Sequence, residues 1–223
     1  MNHFIPELDR PFFEELRMKT LDFFGGQTLS PSLNEMLNND LDALRTLVQP
    51  QTIYAEYAII RKEDCIQTKA GPFESRMFSL LARRCSEDCS VMFMITTIGI
   101  EFDRFLSRIT ELSRQFMVDA AGAACVGMAA DLLHDHLEKS PGLQGRGMSM
   151  WFCPGYCDWT LQGQRLIFNA LDGSAIGVSL NDHDVMTPGK TISAAALVAE
   201  DVPVTSLCCF CDRKNCPWRR LPL

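Results

Sequence analysis

The most informative stretch of this chain reads Cys153-Pro154-Gly155-Tyr156-Cys157-Asp158-Trp159. Proline fixes its own φ angle and glycine adopts backbone conformations that other residues avoid, so Pro154 and Gly155 together predict a tight turn. Tyr156 places an amphipathic ring beside that turn. The stretch therefore predicts a turn that either grips a flat ligand through its backbone or has a purely structural role.

Further motifs occur in a particular order on both sides of this turn. Downstream lie an amphipathic stretch from Leu161 to Leu171, then Ile176–Asp182 and Met186–Ser193, and upstream lie Ile95–Glu101 and Asp119–Gly122. Across residues 50–200 this order resembles the activation domain of cobalamin-dependent methionine synthase and its small stand-alone relatives. The resemblance implies an α+β fold, a single mixed domain whose central, largely antiparallel sheet is flanked by helices.

The same resemblance implies a function. The family domain binds S-adenosylmethionine and presents its methyl group to cobalamin in the inactive cob(II) state, and an electron from a flavoprotein completes a reductive methylation. The implied partners are a cobalamin-binding methionine synthase or corrinoid methyltransferase subunit, which carries the cobalamin, and a flavoprotein electron donor. In this chemistry the domain mostly positions a methyl group that is already activated, and the cobalt supplies the nucleophile. Whether the chain is an enzyme in its own right therefore stays open.

The family's ligand-binding pattern is only partly present. The residues that can be carried over are Pro154, Gly155 and Tyr156. The helix glutamate expected four residues before Asp131 is replaced by Gly127, and the arginine expected five residues before the tyrosine is replaced by Trp151. An acid for the ligand's cationic end and an arginine for its carboxylate must therefore come from elsewhere.

Replacements for both groups are available nearby in the sequence. Arg146 lies in a glycine-flanked loop and is the candidate for binding the ligand's carboxylate. Asp131 and Asp158 are the candidates for the lost acid. With Pro154, Gly155 and Tyr156, Arg146 completes the predicted cofactor-binding set.

Four cysteines crowd into the end of the sequence: Cys208, Cys209, Cys211 and Cys216. The spacing Cys-x2-Cys-x4-Cys runs from Cys208 to Cys216 with Cys209 as a spare, and thiolates at this density suit zinc or an iron–sulfur cluster. Reduced cysteines on a loose end and a thiol switch are the alternatives. If the tail folds over the Pro-Gly-Tyr turn, Cys153 and Cys157 could complete a metal site.

The cysteines and the two departures from the family pattern support a second hypothesis about function. In this alternative the chain is a non-catalytic, metal-binding accessory protein of a corrinoid methyltransferase system that has lost the methyl-donor site. Gly127 and Trp151 favour it, because both remove polar groups that the methyl donor requires.

The resemblance, the cysteine distribution and the periodicity of the elements together predict three parts of the chain. These are a helical lead-in over residues 1–48, an activation-domain-like core over residues 49–203, and a cysteine-rich tail over residues 204–223. Helices are predicted over Leu8–Phe24, from a capping box at Ser32 to about Leu47, and over Ser75–Arg84, Glu111–Glu138 and Thr160–Leu171. Strands are predicted over Ile53–Arg61, Ser90–Thr97, Ile176–Leu180 and Thr191–Val198.

Composition excludes several classes of protein. The net charge of −7 and the pI near 5.1 argue against nucleic-acid binding, which requires basic patches. No secretory signal is visible at the start of the sequence, and the longest apolar runs are too short to span a bilayer. We therefore expect a cytoplasmic protein without a membrane or nucleic-acid partner.

Overall fold

The computed structural model describes residues 1–25, 29–62, 65–143 and 145–202, together with residues 208, 211 and 215. The strands are β1 (Asn2–Phe4), β2 (Gln51–Arg61), β3 (Ile66–Thr68), β4 (Gly71–Phe73), β5 (Ser90–Thr97), β6 (Gly147–Met148), β7 (Ser179–Leu180), β8 (Met186–Thr187) and β9 (Thr191–Ala199). The helices are α1 (Arg10–Asp22), α2 (Pro31–Leu47), α3 (Arg76–Ala82), α4 (Ile100–Ser107), α5 (Leu112–Glu138) and α6 (Gly163–Ala170).

The central sheet has seven strands among the described residues. Six of its strands follow the order β4-β3-β2-β5-β9-β6. The seventh strand, β1, lies outside this order and pairs with β2. Every pairing in it is antiparallel, which confirms the predicted antiparallel sheet flanked by helices. β7 and β8 form a separate two-stranded hairpin.

The central strands β5 and β9 are buried on both faces, which explains why their sequences read as continuous apolar runs. Alternate side chains of a strand point to opposite faces. Phe93 and its neighbours on one face pack with α3 and α6, whereas Met92 and Met94 on the other face pack with α5. The sheet thus separates two apolar layers.

The longest helix, α5, lies across one face of the sheet and also contacts α1, α2 and α4. It is long and apolar enough to span a membrane by length and composition, but most of its apolar stretch is buried inside the protein, as in a core helix. Apolar residues of this helix recur at helical spacing, and Ala120, Ala124 and Met128 among them are buried. Phe116 is instead 62% exposed and packs edge-on against Phe24.

Several predicted boundaries were wrong, each for a local reason. Ser30, not Ser32, caps α2, because its hydroxyl accepts the Leu33 N–H at 3.4 Å and Pro31 occupies the first helical position. The strand predicted over Ile176–Leu180 is only β7, because a 3-10 turn precedes it and ends at Gly177, whose φ is 69°.

Two further differences concern the ends of the predicted parts. The helix predicted from Thr160 begins at Gly163, since turn residues occupy the preceding positions. The lead-in contributes β1 to the sheet, and α1 and α2 pack on α5. The domain boundaries after residues 48 and 203 stay predictions.

Candidate functional site

The Pro-Gly-Tyr turn leaves the sheet directly after an isolated bridge to β9. Phe152 and Ala195 exchange two backbone hydrogen bonds, with N···O distances of 2.8 and 2.9 Å. The chain then reverses at Gly155, whose φ is 91° and whose N–H donates to the Trp159 carbonyl at 2.8 Å. A positive φ of this size favours glycine, so the turn predicted from the sequence is present.

Two residues that follow the turn anchor it to the core. Trp159 is 2% exposed and stacks on Phe73 at a centroid distance of 4.2 Å. Asp158 accepts hydrogen bonds from the Ser75 hydroxyl at 2.7 Å and from the Met77 N–H at 3.0 Å, so it caps the start of α3. The structure therefore uses Asp158 as a helix cap, whereas the sequence offered it as a ligand acid.

Tyr156 presents its ring at the surface of this rigid turn. Its side chain is 57% exposed. Among the described residues, no hydrogen bond or ring contact is made by this side chain. More than half of the phenol ring's surroundings are therefore open to a ligand that stacks on it.

Trp151 joins the segment before the turn to α5. Its indole N–H donates to the Ala130 carbonyl at 3.1 Å, and its ring meets His134 edge-on at 5.8 Å. Gly127 lies three residues before Ala130, and a Cβ added to it would meet nothing within 4 Å. The two positions at which this chain departs from the family pattern therefore lie within one helical turn of each other.

An acidic cleft of about 670 Å³ lies between the N-terminal segment and α5. Its charged lining comprises five carboxylates and one ammonium group, from Glu7, Asp9, Glu15, Asp131, Asp135 and Lys19. Lys19 pairs with Glu15 at 3.4 Å. A cleft lined mostly by one sign of charge attracts ligands of the opposite sign, so this cleft suits a cation.

The cleft was missed by sequence reasoning, apart from Asp131. Its two walls, around Glu7 and around Asp131, are separated by more than one hundred residues of sequence. Neither wall carries a local pattern that indicates the other, so no sequence signal could have identified it.

Arg146 lies in an ion pair with Glu56 of β2. The guanidinium contacts both carboxylate oxygens, with Nη2 to Oε2 at 3.2 Å, and also donates to the Gly142 carbonyl at 3.0 Å. Burial alone would raise the pKa of Glu56, but hydrogen bonds from Arg146 and Ser90 lower it overall. Both Nη groups of Arg146 are thus engaged within the protein, and its predicted role in binding a ligand's carboxylate stays a prediction.

The described cysteines of the tail lie beside the turn. The Cys157 thiol is hydrogen-bonded to the Cys211 thiol and is close enough to Cys208 to interact with it electrostatically. Burial, followed by these two thiols and Asp158, raises the pKa of Cys157 to about 12. The other two predicted metal ligands, Cys209 and Cys216, lie outside the described residues.

Cys153 differs from Cys157 although only four residues separate them. It packs against the apolar cluster between the sheet and α5, and burial raises its pKa to about 12. Cys157 adopts a φ of 55°, in the left-handed region that disfavours residues with side chains. Of the two cysteines that flank the turn, the structure brings only Cys157 to the described tail thiols.

Among the comparisons with known proteins, only the one with solved structures finds a match, and it shows the fold alone. No family model and no curated protein matches the sequence. Among solved structures, the chain is similar to one described as the crystal structure of the MetH reactivation domain bound to AdoHcy. The TM-score is 0.63 over 92% of this chain and 80% of that chain, at 12% sequence identity. The chain therefore has the fold of that reactivation domain.

Proposed function

We propose that this protein is a reactivation module that binds S-adenosylmethionine and supports reductive methylation of cob(II)alamin carried by a partner protein. The observation that carries the proposal is the fold, which is shared over 92% of the chain with a reactivation domain that binds AdoHcy. AdoHcy is the compound that S-adenosylmethionine becomes when its methyl group is transferred. A fold alone does not determine function, so local features must support the proposal.

The Pro-Gly-Tyr turn supports it because contacts within the protein hold the turn in shape. Gly155 closes the turn through its hydrogen bond to Trp159, and Trp159 is held in the core. The exposed ring of Tyr156 therefore sits on a rigid base. A binding surface that is already ordered loses less conformational entropy when a ligand binds, and the nucleoside of S-adenosylmethionine is a flat partner for such a ring.

The acidic cleft supplies a second feature that fits this ligand. S-adenosylmethionine carries a sulfonium and an ammonium group, and the cleft holds five carboxylates. Its volume of about 670 Å³ suits a ligand of this size. We propose that Asp131 takes over from the glutamate that Gly127 replaces, and that Lys19 or Arg146 binds the ligand's carboxylate.

The residues of this chain would bind and orient the methyl donor. The sulfonium already activates the methyl group, and the reduced cobalt of the partner's corrinoid is the nucleophile. The cleft carboxylates would hold the sulfonium and so fix the direction of the methyl group, which is the positioning on which such a transfer depends. The expected partners are a corrinoid-carrying methyltransferase and a flavoprotein that supplies the electron.

A second candidate function is a metal-binding accessory protein without a methyl donor. Trp151 favours it, because the indole is bonded to Ala130 at the place where the family pattern has an arginine, and an indole offers no charge to a carboxylate. The two candidates differ in one measurable property, the binding of S-adenosylmethionine.

Calorimetric titration of anaerobically purified protein with S-adenosylmethionine tests the proposal. We expect a dissociation constant in the micromolar range. The Tyr156→Ala variant should bind about tenfold or more weakly because stacking on an aromatic ring contributes about 1–3 kcal/mol per base. Tyr156→Phe keeps the ring and should bind nearly normally. No binding heat in the wild-type protein contradicts the proposal and leaves the accessory function.

The open space at Gly127 allows a test by gain of function. We expect Gly127→Glu to tighten S-adenosylmethionine binding by about tenfold, because a carboxylate beside a cation strengthens binding by about 1.4 kcal/mol or more. Gly127→Gln has the same size without the charge and is the matched control. AdoHcy has a neutral sulfur, so its affinity should rise less. Equal affinities of the Glu and Gln variants for S-adenosylmethionine would argue against a cation at this point.

A further inference from the structure

The last turn of α5 brings together three side chains that can bind a metal ion. His134, Asp135 and Glu138 each offer one ligand atom, and these atoms all lie within 4.8 Å of one another. We infer that these three residues bind a divalent transition-metal cation of the zinc class. The site uses one imidazole nitrogen and two carboxylate oxygens, and it does not depend on the proposed function.

The imidazole ring of His134 is oriented by a hydrogen bond at one of its two nitrogens. Nε2 lies 3.0 Å from the carbonyl oxygen of Ser149. A carbonyl oxygen only accepts, so Nε2 carries the proton and Nδ1 of the neutral ring keeps its lone pair. Histidines that bind metals almost always engage their second nitrogen in this way. The nitrogen that remains for a metal is therefore Nδ1.

The group that orients the imidazole is itself held by the sheet. The Ser149 N–H donates to the Leu197 carbonyl at 2.8 Å, and the Ser149 hydroxyl accepts the Leu197 N–H at 2.9 Å. The ring of Trp151 meets the His134 ring edge-on at 5.8 Å. An imidazole that is fixed from two sides loses little conformational entropy when it binds a metal.

The distance between His134 and Glu138 fits two ligands of one metal. Nδ1 of His134 lies 3.9 Å from Oε2 of Glu138, which is too long for a hydrogen bond. Two ligand atoms that each lie about 2.0–2.2 Å from a tetrahedral zinc are about 3.3–3.6 Å apart. The Glu138 side chain is half exposed, so a small rotation closes the remaining gap.

The surroundings favour a cation at this place for two reasons. The three ligands lie at the C-terminus of α5, which ends at Glu138 and carries the negative end of the helix dipole. Asp135 also lines the acidic cleft, whose carboxylates attract positive charge. An imidazole with carboxylates suits first-row transition ions such as zinc, and water completes a site with three protein ligands.

Calorimetric titration with zinc chloride tests the inference, without S-adenosylmethionine in the buffer. The test variants are His134→Ala and Glu138→Gln, and the second keeps the size of the side chain without its charge. His136→Ala is the matched control, because His136 lies on the same helix but stacks on Phe4. All proteins are full-length, and in all of them serine replaces the four tail cysteines, Cys208, Cys209, Cys211 and Cys216.

We expect about one zinc ion per chain in the parent protein and in His136→Ala, with a dissociation constant in the micromolar range. Affinity should fall at least about tenfold in His134→Ala and in Glu138→Gln, since losing even an outer partner of a ligand costs about 10–100-fold. Equal affinities in all four proteins overturn the inference. Absence of zinc binding in the parent protein overturns it as well and leaves His134 and Glu138 as a weak surface ion pair.

Cobalt in place of zinc identifies the kind of ligand. Cobalt held by nitrogen and oxygen absorbs visible light without the strong near-ultraviolet band that thiolate ligands produce. We expect the visible absorption without that band, and its loss in Glu138→Gln. A thiolate band in the parent protein would place the metal on the remaining cysteines and would overturn the inference.

Discussion

Replacing Trp159 with alanine is expected to lower the free energy of unfolding by about 3–5 kcal/mol. The indole is 2% exposed and stacks between Phe73 and Phe152, at centroid distances of 4.2 and 5.3 Å. Gly163 lies so close that a Cβ there would clash with the indole, 2.7 Å from Cδ1 and closer still to Nε1 and Cε2. Packing this tight leaves the surroundings little freedom to fill the cavity that alanine would leave.

Urea unfolding of Trp159→Ala against the wild type measures this loss. Leu161→Ala is the matched control, because Leu161 follows the same turn but is 41% exposed. We expect the control to lose at most about 1 kcal/mol, since exposed substitutions rarely change stability by more. A loss below about 1 kcal/mol in Trp159→Ala would show that the turn is not anchored through this ring.

The second large effect is expected from adding one methyl group to α5. Gly122→Ala should lower the free energy of unfolding by about 2–3 kcal/mol. A Cβ at this position would lie 2.6 and 2.8 Å from two ring atoms of Phe102, which is fully buried on α4. Relief of that clash requires α4 and α5 to move apart, and this cost exceeds the helix propensity that alanine adds.

Gly127→Ala is the matched control for that substitution, because it changes the same helix in the same way. A Cβ at Gly127 meets nothing within 4 Å, so only helix propensity changes and stability should rise by about 1 kcal/mol. Urea unfolding of both variants should therefore give shifts of opposite sign. Shifts of the same sign would contradict the described packing of α4 on α5.

Much of the fold could be predicted from local patterns. The strand predicted over Ser90–Thr97 has the same bounds in the structure, because a run buried on both faces must be apolar throughout. The long helix begins one residue after its predicted start at Glu111. Predictions of element boundaries failed where a neighbouring residue could fill the same local role. Ser30 is an example, because its hydroxyl caps α2 in place of that of Ser32.

The candidate site was less predictable, because its residues come from distant parts of the chain. The exposed ring of Tyr156 follows from its turn, but the pairing of Arg146 with Glu56 depends on two strands that are not neighbours in the sheet. The cleft arises only where α1 and the segment before it pack along α5. Hydrophobic periodicity reports which face of an element is buried and not which element covers it.

The antiparallel α+β architecture was predicted only through the resemblance of the motif order to the activation-domain family. The sequence by itself determined the core helix α5 and the tight turn at Gly155, because each depends on neighbouring residues and their periodicity. Only the tertiary structure decided that Cys157 rather than Cys153 is hydrogen-bonded to Cys211. It also decided that Asp158 caps α3 and that carboxylates from the N-terminal segment and from α5 share one cleft. These contacts join residues far apart in sequence, so packing of the whole chain sets them.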